Sequence, residues 1–422
     1  MAEIHFDREH AFQTMTELCD IGPRVIGSEG EAQAARFVEN RFIEYGLDSV
    51  RTLRYPIRYY DGKKAEISTI DRSLSVAGVP CWMSPSTEDT GIVAPTTYVG
   101  LHQLVSNLDP DDVDGKIVFV LMQEQYTPDV LMAWKRIFEM NVAGVVFLDI
   151  QRNQAPRSYN NEMMNDILSL KPCMTASAEL SRLLHDRMFG SELRLFIQGD
   201  SKEGTIHNVS GTVKGALDQT ILLCAHMDTV PFSVGATDNA AGVAILLEMA
   251  RIMSKKEPRY TYKFVAFGGE ELGMKGSERY VEEQNLGNLS LCMNFDSIGA
   301  TPGSVLAFVG GGDTLVNLVS RIAASNQYPT RSIRASGSGG DNKIFASRGI
   351  PTLHLAFQGT TSGKVSHSSI DEPSLLDSSP LAEVGLFSLG IIDEIELLDA
   401  DFLNEDMPQD LIDSAKRRLG IE

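Results

Sequence analysis

The 422-residue sequence has little cysteine, and what it has is scattered: Cys19, Cys81, Cys173, Cys224 and Cys292, an odd number without close pairs. That spacing excludes a thiolate metal cluster and offers no disulfide framework. Positive charge is also scarce. With 37 Lys and Arg against 57 Asp and Glu, the formal net charge is -20, which repels a phosphate backbone and argues against nucleic-acid and anionic-membrane partners. No apolar run approaches the ~20 residues that span a bilayer. The opening "MAEIHFDREHAFQTM" lacks an apolar signal core and predicts a cytoplasmic protein. No repeat recurs at a fixed period, and "SGSGG" at 336–340 is too short to join two domains.

What is present is an ordinary globular composition, 43% apolar and 22% charged, on a chain long enough for two domains. "EGEAQAARFVENRFIEYG" predicts a helix ending near Gly46, with Ala35, Val38 and Phe42 on its apolar face, and "SVRTLRYPIRYY" a strand after it. A turn-punctuated stretch follows, with strands at "GKIVFVLM" and "AGVVFLDI" around a helix at "DVLMAWKRIFEMN". Beyond about residue 205 apolar strands alternate with helices: "ILLCAH", "NAAGVAILLEMARIM", "TYKFVAF", "KGSERYVEEQ" and "LSLCMNF". This predicts an α/β fold with a mostly parallel, mixed central sheet sandwiched by helices. The divisions are 1–65, a smaller inserted α/β module at 66–198, and 199–422 closing on a helix at "PQDLIDSAKRRL".

Three of the later strands run into acid. The first leads to "AHMD" and, twelve residues after His226, "TDNAAG"; the second to "GGEELG"; the third to "NFDSIG". "KVSHSSIDEP" adds His367 in a polar loop. A solvated loop end is the ordinary home of one histidine or one glutamate pair. Convergence is less ordinary: His226, Asp238, Glu271, Asp296 and His367 would share one edge of the sheet, where such folds bind ligands. Imidazole and carboxylate donors suit Zn2+, with Co2+ and Mn2+ also compatible. Asp228 is placed to accept from the second ring nitrogen of His226, or to act as a turn or capping residue.

"HMD", "TDNAAG", "GEE", "NFD" and "SH" at 366–367 resemble the M28 family of dizinc aminopeptidases. The resemblance implies a zinc-exopeptidase fold and two Zn2+, with His226 and Asp296 on one ion, Glu271 and His367 on the other, and Asp238 bridging. It also implies that Glu270 is the general base, taking a proton from the attacking water and passing it to the leaving amine. "GDNKIFASRGIPTLHL" is similar to the family's Asp-containing stretch before its next core strand, with Asp341 and Phe345 in the expected places, and the middle module resembles a protease-associated domain. One departure is Ser366, which stands where relatives often carry Tyr, so the oxyanion's partner would be another donor or the second metal.

The implied reaction is release of N-terminal residues from peptide substrates. A carboxypeptidase would read the terminal carboxylate instead, and Arg331 and Arg334 in "RSIRASGSGGD" are the candidates, against a reading as solvated arginines on an exposed strand. Asp341 is a further candidate substrate contact, and Arg24 a weaker one. Two other readings use the same fold: a non-hydrolytic binding protein and a glutaminyl-cyclase-like transferase with one zinc. An insert of this kind is also compatible with a homo-oligomer, in which it would serve as an arm.

Overall fold

The computed structural model describes residues 5–421 except 101–107, 123–127, 151–154, 159–164, 338, 399 and 404. Strands β8 (Thr220–His226), β9 (Thr261–Phe267), β10 (Leu289–Ile298) and β13 (Thr352–Gln358) form the parallel centre of a sheet in the order β9-β8-β10-β13. β11 (Ser304–Gly310) joins β13 antiparallel, and β12 (Thr330–Arg334) closes that edge, parallel to β11. On the other side β9 pairs antiparallel with β7 (Glu192–Val213).

Side chains alternate across a strand, so each central strand supplies two cores. Ile221, Leu223 and Ala225 of β8, with Leu291, Met293 and Phe295 of β10, face helices α1 (Arg8–Cys19), α2 (Glu29–Glu44), α4 (Ala241–Met253) and α8 (Ser378–Leu397). Leu222, Cys224 and Cys292 face the opposite layer, where Tyr280 and Val281 of α5 (Lys275–Glu283) meet Ile344 and Phe345 of α7 (Asn342–Ala346). Burial on both faces explains the unbroken apolar runs of these strands. α2 begins where Ser28 accepts from the Glu31 N–H and buries Ala34, Ala35, Val38 and Phe42. It ends at Tyr45, followed by Gly46 with φ of 76°, a conformation that favours glycine.

The strand after α2 is much longer than its sequence suggests. β1 (Asp48–Ser68) pairs antiparallel with β7 from Asp48 opposite Thr212 to Ser68 opposite Arg194, and both pass unbroken through residues 65 and 198. Their far ends join β2 (Ser75–Pro80), β3 (Ile92–Gly100), β4 (Ile117–Met122), β5 (Gly144–Asp149) and β6 (Cys173–Ser177). The pairings run β1-β2-β6-β5-β4-β3-β7 and return to β1, so the middle segment is a closed ring of strands. Ile67, Phe119, Val146, Met174 and Leu195 fill the interior. On the outside, α3 (Pro128–Glu139) lays Trp134, Ile137 and Phe138 over Val118, Val120 and Phe147. No helix among the described residues is long and apolar enough to cross a membrane.

Trp134 is 1% exposed, with its ring 4.8 Å from that of Phe147. Trp134→Ala should cost about 3–5 kcal/mol by emptying that layer. Chemical denaturation followed by circular dichroism measures it, and a loss under ~1 kcal/mol would contradict the packing described.

Candidate metal centre

The neighbouring strands β9, β8 and β10 all run in the same direction, so their carboxyl ends open onto one crevice. β8 ends at His226, 1% exposed, and β10 carries Asp296 near its end, 6% exposed. β9 leads through Gly269, φ 77°, into a single tight turn, Glu270–Leu272. Asp238 and Asn239 precede α4 in non-helical conformations, joined by a cis peptide. Asn239 ties this bend to its neighbours, donating to Phe295 O at 2.8 Å and accepting from Gly242 N at 3.1 Å.

The ligand-type atoms fall into two groups. His226 Nε2 lies 3.1 Å from Asp238 Oδ1 and 3.5 Å from Asp296 Oδ1. His367 Nε2 lies 3.0 Å from Glu271 Oε2 and 3.4 Å from Asp238 Oδ2. Within each group, His226–Asp238–Asp296 and Asp238–Glu271–His367, all donor atoms lie within 4.8 Å of one another. Asp238 belongs to both, offering a different oxygen to each. One imidazole and two carboxylates per group fit a divalent cation such as Zn2+.

The electrostatics carry the same message. Burial works against charge on His226, but Asp296, Asp228 and Asp238 outweigh it and raise its pKa well above the usual value. Burial would raise the Asp238 carboxyl, yet bonds from His226 and His367 hold it well below the usual range. Glu270 is pushed well above an ordinary glutamate by burial, reinforced by Asp296 and Glu271 against the opposing pull of His226. Glu271 is raised chiefly by burial, with Asp238 adding and His367 opposing. Carboxylates crowded this closely are costly to ionise together, and a bound cation relieves the cost.

Asp228 has a different reach from the one its place beside His226 suggests. Its two oxygens accept from the backbone N–H groups of Glu270 and Glu271, each at 3.2 Å. His226 Nδ1 lies 3.2 Å from the Asp228 carbonyl oxygen and 3.6 Å from its carboxylate. Asp228 thus sets the main chain of the glutamate pair as well as buttressing the imidazole.

Other predicted contacts lie elsewhere. Arg331 and Arg334 are exposed on the edge strand β12, and Arg334 pairs with Asp313 at 2.8 Å. Asp341 is fully buried and accepts from Ser277 Oγ at 2.5 Å; burial raises its carboxyl to about 7. Arg24 is also fully buried, donating to the carbonyls of Met227, Val234 and Gly235 at 2.8, 2.6 and 3.2 Å. It shapes the loop between His226 and Asp238. Phe345 is a core residue, packed against Phe267 and Tyr280.

Two residues escaped the sequence reading. Asp371, fully buried, accepts from Thr237 N at 2.8 Å and so braces the chain at Asp238; its carboxyl is raised to about 7 by burial. Its position four residues after His367 was the available signal. Gly340 lies against the centre, where a Cβ would sit 2.5 Å from Glu270 Oε1 and 2.9 Å from Asp296 Oδ2.

A mixed sheet with two linked imidazole–carboxylate groups at its strand ends defines an α/β protein with a candidate binuclear metal centre. Residues 208–391 match the model of peptidase family M28. Aminopeptidase YwaD of Bacillus subtilis is 26% identical over 313 residues, 71% of this chain and 64% of its own length. An aminopeptidase of Pseudomonas aeruginosa is 36% identical over 104 residues, 24% and 19% of the two chains. This chain therefore spans less than two thirds of either relative. Among solved structures, a zinc aminopeptidase from Bacillus subtilis has a TM-score of 0.76 at 22% identity, covering 97% of this chain and 100% of its own. A peptidase M28 precursor from Shewanella amazonensis reaches 0.78 at 19% identity, covering 95% of each. The likeness in fold extends across the inserted segment.

Gly340→Ala should displace the Glu270 carboxylate by about 1 Å, since carbon and oxygen cannot rest much inside van der Waals contact. A crystal structure of the variant measures the shift, and an unmoved Glu270 would contradict this geometry.

Proposed function

We propose that the protein is a metal-dependent aminopeptidase whose centre takes two Zn2+ ions and uses Glu270 as general base. The observation that carries the reading is Asp238, with one oxygen toward His226 and the other toward His367. A carboxylate so placed suits a bridge between ions ~3.5–4 Å apart. His226 and Asp296 would complete one ion's ligands, and Glu271 and His367 the other's. Bound there, the ions would supply Lewis acidity to the scissile carbonyl and the attacking water.

The rest of the chemistry falls to the chain's own residues. Glu270 and Glu271 are neighbours held at the backbone by Asp228, so one side chain can ligate while the other faces the reacting water. Glu270 would accept a proton from the attacking water and deliver it to the leaving amine. No tyrosine precedes His367, so oxyanion stabilisation falls to the cations or to another donor. The names of the matched relatives favour the amino-terminal reading, and the Asp313 pairing of Arg334 weighs against carboxylate capture by Arg331 and Arg334.

Dipeptides blocked at one end or the other test the proposal on zinc-loaded protein. Acetylation of the amino end should abolish turnover and amidation of the carboxyl end should not, while Glu270→Gln should lower kcat by roughly 10²–10⁴. Turnover that survives acetylation but not amidation would make the protein a carboxypeptidase. Hydrolysis of neither form would sink the exopeptidase reading, leaving a binding protein or a one-zinc transferase.

A further inference from the structure

His367 has φ of 65°, the left-handed region that a residue with a Cβ occupies only where its surroundings over-determine it. The loop that carries it is tied to the catalytic body on both sides. Thr360 N donates to Ala300 O at 2.9 Å and Ala300 N to Thr361 Oγ1 at 2.8 Å before it; after it, Ala236 N donates to Asp371 O at 3.2 Å and Thr237 N to its carboxylate at 2.8 Å. At the middle of the loop the tether has another origin. The carbonyl of His367 itself accepts from the N–H of Ser158, at 2.7 Å, and Ser158, which is buried, lies in the connection between β5 and β6 of the ring of strands.

Ser158 is itself held firmly. Arg157, the residue before it, grips Asp149 at the end of β5 through Nε at 3.0 Å, Nη2 at 3.3 Å and its own backbone N at 3.1 Å. The carbonyl of Arg157 accepts from Thr175 Oγ1 of β6 at 2.5 Å. Asp149 is 1% exposed, and β5 and β6 are paired with Phe147 opposite Thr175 and Asp149 opposite Ser177. A two-pronged, largely desolvated guanidinium–carboxylate pair fixes orientation as well as distance. The path from the ring's strands through Arg157 and Ser158 to the His367 main chain is therefore continuous hydrogen bonding.

We propose that the inserted module is a working part of the metal centre: Ser158 is a positioning residue whose N–H fixes the backbone of His367 and so sets the affinity of the Asp238–Glu271–His367 group for its cation. This inference rests on the two-ion reading of the site. The His226–Asp238–Asp296 group has its histidine on β8 and its other aspartate on β10, strands of the central sheet, and has no such tether to the module among the bonds described. Loss of a partner behind a ligand weakens metal binding by roughly 10- to 100-fold, and here the loss should fall on one ion alone.

Zn2+ titration of the metal-free full chain by calorimetry tests this, with Ser158→Pro removing the donor, Ser158→Ala keeping it, and Arg157→Gln loosening its anchor. The wild type and Ser158→Ala should take two ions. Ser158→Pro and Arg157→Gln should keep one site unchanged and bind the second ion roughly 10- to 100-fold more weakly, with the metal-free unfolding temperature reported alongside as a check on folding. If Ser158→Pro does not fold, Arg157→Gln carries the test. Two ions bound by the variants as tightly as by the wild type, or both sites weakened alike, would overturn the inference and leave the two-ion reading intact. One ion or none in the wild type would overturn both.

Discussion

A single carboxylate facing two imidazoles organises this molecule. Asp238 is drawn in opposite directions by His226 and His367, and the rest of the site is arranged to keep it there. His226 comes from the end of a central strand, whereas His367 comes from a long loop between β13 and α8. Between them, Asp238 must leave the helical path, and it does so at a bend secured by Asn239 beneath and Asp371 beside it. Their role is to meet the hydrogen-bonding needs of a buried, irregular backbone.

The same division of labour recurs around the crevice. Arg24 spends its guanidinium on three loop carbonyls, and Asp228 spends its carboxylate on the amides of the glutamate pair. Both are fully buried ionisable groups, costly to hold unless bonded in this way. Through them, His226, Asp238, Glu270 and Glu271 behave as one assembly. A change at any bracing residue should be felt at the metal-binding groups rather than at the surface.

How much of this could be read in the sequence depended on the range of the interactions. β8, β9 and β10 were legible because strands buried on both faces read as continuous apolar runs, and the acids at their ends fell into register once those strands were laid parallel. α2 was legible through its cap and its periodic apolar face. The ring of strands was not, because β1 and β7 are polar and exposed in part of their length, as at Asp200–Glu203, and meet only through pairing more than a hundred residues apart. Likewise Asp228 was read by its sequence neighbour, His226, while its carboxylate bonds the main chain some forty residues on. Arg331 and Arg334 lie exposed on an edge strand, as their alternative reading had it, and nothing local in the sequence revealed Asp313 as the partner of Arg334.

The claim on which the account turns is that Asp238 joins two cation sites. Anomalous diffraction from a zinc-soaked crystal, recorded above and below the zinc edge, addresses it without reference to activity. Two peaks are predicted ~3.5–4 Å apart, one beside His226 and Asp296, the other beside Glu271 and His367, with an Asp238 oxygen toward each. A single peak, or a pair that Asp238 does not separate, would contradict it.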